Sequence, residues 1–489
     1  MKQSWICLTL CLGLIATATI HHKTPHAVAK RNKKTTTPTL PATWDASTTS
    51  PHHVLLKGAT VWTAEGKIIP SGQVLLYKGK IKAVGEQVTA PKGTTVIDVK
   101  GKHVTPGLID THSHIGVYAV PYLRATSDGN EMSRPVTAYA WAEHGFWPQD
   151  PSILAAVAGG TTTAQILPGS ANLIGGRSVI LKLRYARSVQ KMKFPGARQG
   201  LKMACGENPK RVHRSLWSRM GSYAGYRRAY LKATAYKRKW DAYFKKLKAW
   251  KEKTKKAASQ PTKKATSQPA KKKSALKKPK APRKDINLET LRLVLEGKIY
   301  VHIHCYRADE MLQMIKLSKE FGFKIRSFHH AVEAYKIADV LAKEGISASI
   351  WADWWGFKHE AFDAIQENAP FVSAAGGRAI IHSDSATGIQ HLNQEAAKTF
   401  YRGKKIGLKL SENEAMRWIT LNPAWALGID KVTGSLKPGK MADIVVWDGH
   451  PFSVYTRTQM VFMDGNIVYH RQAKRPITDF QVGLGPILK

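Results

Sequence analysis

The chain has 489 residues, 43% of them hydrophobic and 14 of them Trp, which excludes a wholly disordered protein. Such a length holds roughly two or three domains, or one barrel of about 250 residues with additions. Four Cys exclude a disulfide scaffold, and 76 Lys and Arg against 34 Asp and Glu leave a net charge of +42, which raises a polyanionic partner at once.

The charge is unevenly placed. Residues 211–284 hold 26 Lys and Arg and two acids, Asp241 and Glu252, a net of +24. Residues 22–40 add Lys23, Lys30, Arg31, Lys33 and Lys34. The remaining body is only moderately basic, so most of the charge belongs to segments peripheral to a core.

In chain order, residues 1–18 read as a secretory signal: Lys2, an apolar run over 6–16, then Ala16-Thr17-Ala18 as a small-x-small cleavage pattern. The expectation is export to the periplasm or the extracellular space, with Cys7 and Cys11 lost on cleavage. No later run reaches the roughly 18 apolar residues of a membrane helix. Residues 19–50 are polar and Thr/Pro-rich, a disordered linker. From residue 51 to 105 the texture is β, as in VLLKGATVW and QVLLYKGKIKAVG, and it returns over 430–478 in MADIVVWDGH and VFMDGNIVYH. Lys78-Gly79 and Asp464-Gly465 are hairpin turns. These flanks predict one small β-sandwich domain assembled from both ends.

Residues 106–429 alternate short apolar strands with amphipathic helices, which predicts a parallel sheet covered by helices. Residues 215–285 interrupt this rhythm as a basic insertion. Tyr223, Tyr226, Tyr230, Trp240, Tyr243 and Trp250 recur mostly at helical spacing with basic residues between them. They predict a long helix or hairpin whose aromatic stripe packs on the barrel or a neighbouring subunit. KKAASQPT at 255–262 then repeats as KKATSQPA at 263–270, a disordered Lys/Ala/Pro tract.

The chemistry-bearing residues lie at predicted strand ends. In VTPGLIDTHSHIG, His112 and His114 are two apart, so a strand presents both imidazoles on one face, where they reach one ion. His302 and His304 form a second such pair, His329 and His330 end the next strand, and His382-Ser383-Asp384 follows a later one. In a βα barrel the strand C-termini gather on one face, where these groups converge on a metal. No GxSxG elbow occurs, and Cys205 and Cys305 lack a nucleophile context and are read as packing residues.

The pattern resembles the amidohydrolase superfamily of metal-dependent hydrolases, in particular imidazolonepropionase-like and dihydroorotase-like members. The resemblance is carried by PGLIDTHSH at 106–114, GGTTT at 159–163, GENPK at 206–210, HIHCYRADE at 302–310, FHH at 328–330, HSD at 382–384 and GSLKPGKMADIVVWD at 434–448. It implies a distorted (β/α)8 TIM barrel beside the small β domain, and one or two divalent ions, with zinc the expected metal. It assigns His112, His114, His304, His330 and Asp384 as ligands, with His304 chosen over His302 and His330 over His329. In such proteins the fourth strand supplies a carboxylated Lys, a Glu, or neither. Glu207 at the strand mouth is the first choice here, with Lys202 and Lys210 as alternatives. The resemblance also implies hydrolysis of a C–N bond in a cyclic amide, N-acyl amino acid or dipeptide-like small molecule, with Asp384 as general base toward a metal-activated water.

Asn172 in the Gly-rich loop 169–176, Arg307, Trp351, Asp353 and Trp354 are candidate substrate contacts on the same face. Competing readings are a deaminase of the same superfamily, and a polyanion-binding protein with an inactive barrel. If the basic tract binds anything, an anionic cell-surface polymer is the expected partner, and a homo-oligomer is the expected assembly.

Overall fold

The computed structural model describes residues 53–184, 186–259 and 276–473. The expected signal (1–18), the linker up to residue 50 and the centre of the Lys/Ala/Pro repeat lie outside the described residues. None of the described helices is long and apolar enough to cross a membrane.

Eight strands form a nearly closed barrel sheet in sequence order: Leu108–Ser113, Thr161–Ile166, Ile174–Lys182, Gly200–Ala204, Tyr300–Cys305, Ile325–His330, Ser347–Ile350 and Arg378–Ile381. They are called the first to eighth barrel strands below. The third runs antiparallel to both neighbours and the other pairings are parallel, so the barrel is distorted at this point. Its cause is the connection over 167–173, which is too short to hold the crossover that a parallel strand needs.

Side chains and a wedge close the seam between the first and eighth strands. Buried Asp110 accepts from the amide of His112 (2.9 Å), the amide of Ser383 (3.3 Å) and the hydroxyl of Ser383. The amide of Ile109 donates to Ile419 O (2.9 Å) and that of Ile381 to Trp418 O (3.0 Å), so this segment pairs with both edges.

A second eight-stranded sheet takes strands from both flanks. Val54–Trp62, Ile68–Tyr77 and Lys80–Gly85 lie on one side of His103–Pro106, and Ile444–Trp447, Thr458–Met463 and Asn466–His470 on the other. Lys78 (φ 46°) with Gly79 (73°), and Asp464 (50°) with Gly465 (76°), make the left-handed turns that match strand twist. Trp62 and Trp447 of this sheet belong to the barrel's apolar core. Lys182 of the third barrel strand is fully buried and held by Asp443 (2.9 Å) and Asp464 (2.5 Å), which pins the sheet to the barrel.

The basic insertion begins as one 41-residue helix, Arg219–Ser259. Its first half is barrel wall. Tyr226 donates to Ala204 O, Tyr230 contacts Met203 Sδ at 3.3 Å, and Tyr230 stacks on Phe323 with ring centres 4.5 Å apart. The aromatic stripe therefore fills the layer outside the fourth and fifth strands. Beyond Trp240 the helix leaves this surface and its lysines are largely exposed.

Cys205 and Cys305, read from sequence as packing residues, form a disulfide joining the ends of the fourth and fifth strands. The two strands are hydrogen-bonded neighbours, with His304 paired to Ala204, so the next residue of each comes within bonding reach.

Candidate active site

Five histidines (His112, His114, His304, His330 and His382), Lys202 and Asp384 meet at the C-terminal mouth of the barrel. Nδ1 of His114 lies 2.8 Å from the carbonyl of Leu167, which only accepts, so Nδ1 carries a proton and Nε2 is the nitrogen turned to the centre, a lone pair when the ring is neutral. That lone pair faces Asp384 Oδ1 at 3.2 Å and His112 Nε2 at 3.2 Å, and Asp384 Oδ1 is 3.5 Å from His112 Nε2. With the rings neutral, atoms so close repel unless a proton or a metal cation is shared among them.

A second group of donors, His112, His330 and His382, shares this centre. Buried His304 and His382 leave both ring nitrogens without a hydrogen-bond partner, and His330 leaves Nδ1 so. Orphaned buried nitrogens of this kind cost stability unless something coordinates them. His330 Nδ1 lies 3.9 Å from Asp384 Oδ2, so the two groups are continuous. The donor set, neutral imidazoles with one carboxylate, suits zinc or a similar divalent ion. Burial is the main cause holding His112, His304, His329 and His330 well below the ordinary imidazole range, with Lys202 and other histidines adding to it. Burial likewise pushes His382 down to about 3, so these ligands stay neutral and ready to bind.

Beneath the mouth, His329 and His302 orient the ligands. His329 Nδ1 is 3.0 Å from His112 Nδ1, and His329 Nε2 is 2.9 Å from His302 Nδ1. With His112 donating from Nδ1, its Nε2 is left bare toward the centre, the usual role of an outer hydrogen bond at a metal site. The backbone is strained here: His330 (φ 68°), Ala331 (40°) and Asp384 (52°) are half of the six non-Gly residues at positive φ among the described residues.

The three candidates for the fourth-strand ligand are placed differently. Glu207 opens the short helix Glu207–Val212 and turns to Lys358, 3.5 Å away, outside the donor cluster. Lys210 is exposed on that helix. Lys202 is fully buried, its Nζ 3.3 Å from His112 Nε2 and donating to Pro168 O at 3.2 Å. Burial pushes its amine down to about 7, against the pull of Asp384.

Among the substrate candidates, Trp351 borders the cluster. It stacks on His330 with ring centres 4.1 Å apart and donates from Nε1 to Ser383 O at 3.3 Å, and Trp354 stacks behind it at 4.6 Å. The other three are engaged elsewhere. Asn172 Nδ2 ties down the carbonyls of Glu131 and Arg134 at 2.7 Å each. Arg307 pairs with Asp309 at the surface (2.9 Å), and Asp353 with Lys398 (2.9 Å). Sequence reasoning gave no role to His382, although it stands two residues before Asp384, the spacing that singled out His112 and His114.

Comparison with known proteins adds independent support. The amidohydrolase family model matches residues 103–470. The amidohydrolase tasK of Hapsidospora irregularis is 31% identical over 448 residues, covering 84% of this chain and 42% of tasK, so the chain spans less than half of that relative's length. A 5'-deoxyadenosine deaminase of Methanosarcina mazei is 32% identical over 104 residues, 21% of this chain and 22% of that protein. The crystal structure of an amidohydrolase from Thermotoga maritima superposes with a TM-score of 0.68 at 33% identity, covering 86% of this chain and all of that one. A barrel whose mouth gathers this donor set, matched by a family model over three quarters of its length, leaves one assignment: the chain belongs to the amidohydrolase family.

Proposed function

We propose that the chain is a divalent-metal-dependent hydrolase that cleaves a C–N bond in a small cyclic amide, N-acyl amino acid or dipeptide-like substrate. The observation that carries this reading is the convergence of His114 Nε2, its ring held through Nδ1 by Leu167 O, with Asp384 Oδ1 at 3.2 Å and His112 Nε2 at 3.2 Å. His112, His114, His304, His330 and Asp384 would hold the metal, with Lys202 in the fourth-strand place and His382 beside them. A bound divalent ion supplies an acidified water and polarises the substrate carbonyl. Asp384 is the carboxylate at this centre, so it accepts the proton of the attacking water and returns it to the leaving nitrogen. Its amide donates to His112 O at 2.9 Å, which fixes the carboxylate over the mouth. Trp351 and Tyr306, both flat against His330, exclude water from that flank.

The test is chelation of the full chain, reconstitution with zinc or manganese, and a screen of N-acyl amino acids, dipeptides and cyclic amides. Activity should vanish on chelation and return with metal, and Asp384→Asn should lower kcat by about 10²–10⁴-fold. Full turnover by metal-free protein would refute the reading. Deamination is the second reading, favoured by the deaminase match, and ammonia release in the same screen separates the two. The Cys205–Cys305 disulfide supports export to an oxidising compartment. The exposed lysines on the outer half of the long helix support adhesion to an anionic polymer.

A further inference from the structure

The helix and loop after the fourth barrel strand form a cavity of about 300 Å³ lined by Glu207, Lys210, Arg211, Arg214 and Trp217. Three of the five lining side chains are cations and one is an acid. Among the described residues, Glu207 is paired with Lys358, whereas no carboxylate pairs with Lys210, Arg211 or Arg214. The cavity thus carries an uncompensated positive charge beside an indole that is 82% exposed.

This segment is held at both ends by one buried carboxylate. Glu360 accepts from the amide of Glu207 (2.9 Å) and from the guanidinium of Arg219 (2.7 Å), the residue that opens the long helix. Gly206 makes the approach feasible: it sits at φ 81°, and a Cβ there would lie 2.7 Å from Glu360 Oε1. The three cations therefore stand on a clamped helix and loop, not on a free terminus.

The cavity also adjoins the metal-site residues. Glu207 reaches Lys358 at 3.5 Å, Lys358 Nζ sits 3.8 Å above the Tyr306 ring, and that ring lies 4.9 Å from His304 and 5.2 Å from His330. Two side chains in series, Lys358 and Tyr306, separate the candidate ligands from the basic cavity.

We infer that this cavity is a specificity subsite for a carboxylate at the far end of an extended substrate, with Trp217 covering the apolar stem before it. The inference rests on the hydrolase reading and narrows it to substrates with an anionic terminus distal to the scissile bond. Arg211 and Arg214 have the planar fork that matches a carboxylate, and Lys210 adds a point charge.

Two measurements test it. In the first, each substrate accepted by the metal-loaded full chain is compared with its carboxamide, in wild type and in a Lys210→Gln, Arg211→Gln, Arg214→Gln triple variant. The acid-to-amide ratio of kcat/KM should fall at least tenfold in the triple variant, chiefly through KM for the acid. An unchanged ratio overturns the subsite. In the second, calorimetric binding of glutarate is measured in both proteins and in Arg214→Lys. Binding should weaken at least tenfold in the triple variant and by less in Arg214→Lys, which keeps the charge but loses the fork. Equal binding in wild type and triple variant also overturns the subsite. Glutarate binding lost in the triple variant, in a protein that hydrolyses nothing, would leave the subsite standing and overturn the hydrolase reading alone.

Discussion

Lys202 and Glu207 divide two roles that sequence alone leaves together. Lys202 lies inside the fourth strand, next to Met203, whose side chain faces the outer helix at Tyr230. Alternation on the strand therefore turns Lys202 inward, and its long stem carries Nζ to 3.3 Å from His112 Nε2. Glu207 is nearer the mouth in sequence but belongs to the next helix, where it faces Lys358. As a carbamate, Lys202 would add a negatively charged oxygen donor to the residues that would hold a divalent ion. Lys202→Ala should then purify with one metal ion fewer per chain than wild type, and Glu207→Gln with the full number, as counted by plasma mass spectrometry. Loss of metal in Glu207→Gln alone would reverse the assignment. The HxH pairs were legible because spacing on a strand fixes a shared face. His329 and His302 were not legible as a pair, because their contact is made across neighbouring strands and depends on register. Asp110 escaped for a related reason: its partners sit at the seam, 273 residues away in Ser383.

At the scale of the element, the long helix has two halves with separate physics. Tyr226 and Tyr230 are fully buried against the barrel, whereas Lys245, Lys246 and Lys248 are exposed. Tyr230→Ala removes a buried ring stacked on Phe323 and should lower stability by about 3 kcal/mol in denaturant unfolding. Replacing Lys245, Lys246 and Lys248 by Ala should change it by less than about 0.5 kcal/mol per site while lowering the salt needed for elution from heparin. If the lysine variant loses stability and keeps its retention, the division is wrong. The aromatic period announced a helix and its buried face from sequence. It did not show that this helix serves as the barrel's own outer layer, because nothing in the period names the surface that it covers.

For the molecule as a whole, the flanking sheet brings its own pH sensitivity. Trp62 donates from Nε1 to His103 Nδ1 at 2.9 Å, which requires a neutral imidazole. Burial holds His103 below its ordinary range, His450 pushes the same way, and Glu412 opposes both. The unfolded chain thus takes up this proton at a higher pH than the folded one. The corresponding stability is present above about pH 6.5 and is lost as pH falls through that value toward the depressed folded one. Thermal unfolding should move to lower temperature between pH 7.5 and 5.5, and His103→Gln, which can still accept from Trp62, should flatten the trend. Equal slopes for both proteins would remove His103 from the account. Both hairpin turns of this sheet were legible, since Lys-Gly and Asp-Gly suit left-handed backbone. The antiparallel third barrel strand was not, because its residues carry no signal for direction and only the short connection before it decides.

The bond between Cys205 and Cys305 spans 100 residues of sequence. Closing a flexible loop of that size from the unfolded chain has an entropic cost, and in the chain-entropy view a crosslink removes about 4.7 kcal/mol of it. Loop closure also grows only logarithmically, so doubling such a loop adds roughly 0.6 kcal/mol. With the fourth and fifth strands already joined at their ends, the length of what lies between them barely enters the stability of the barrel. The part of the connection beyond Trp240, which leaves the barrel surface, is therefore free to lengthen, shorten or change composition over generations, and a repeat as regular as KKAASQPT followed by KKATSQPA is the kind of segment that duplication leaves where length is not policed.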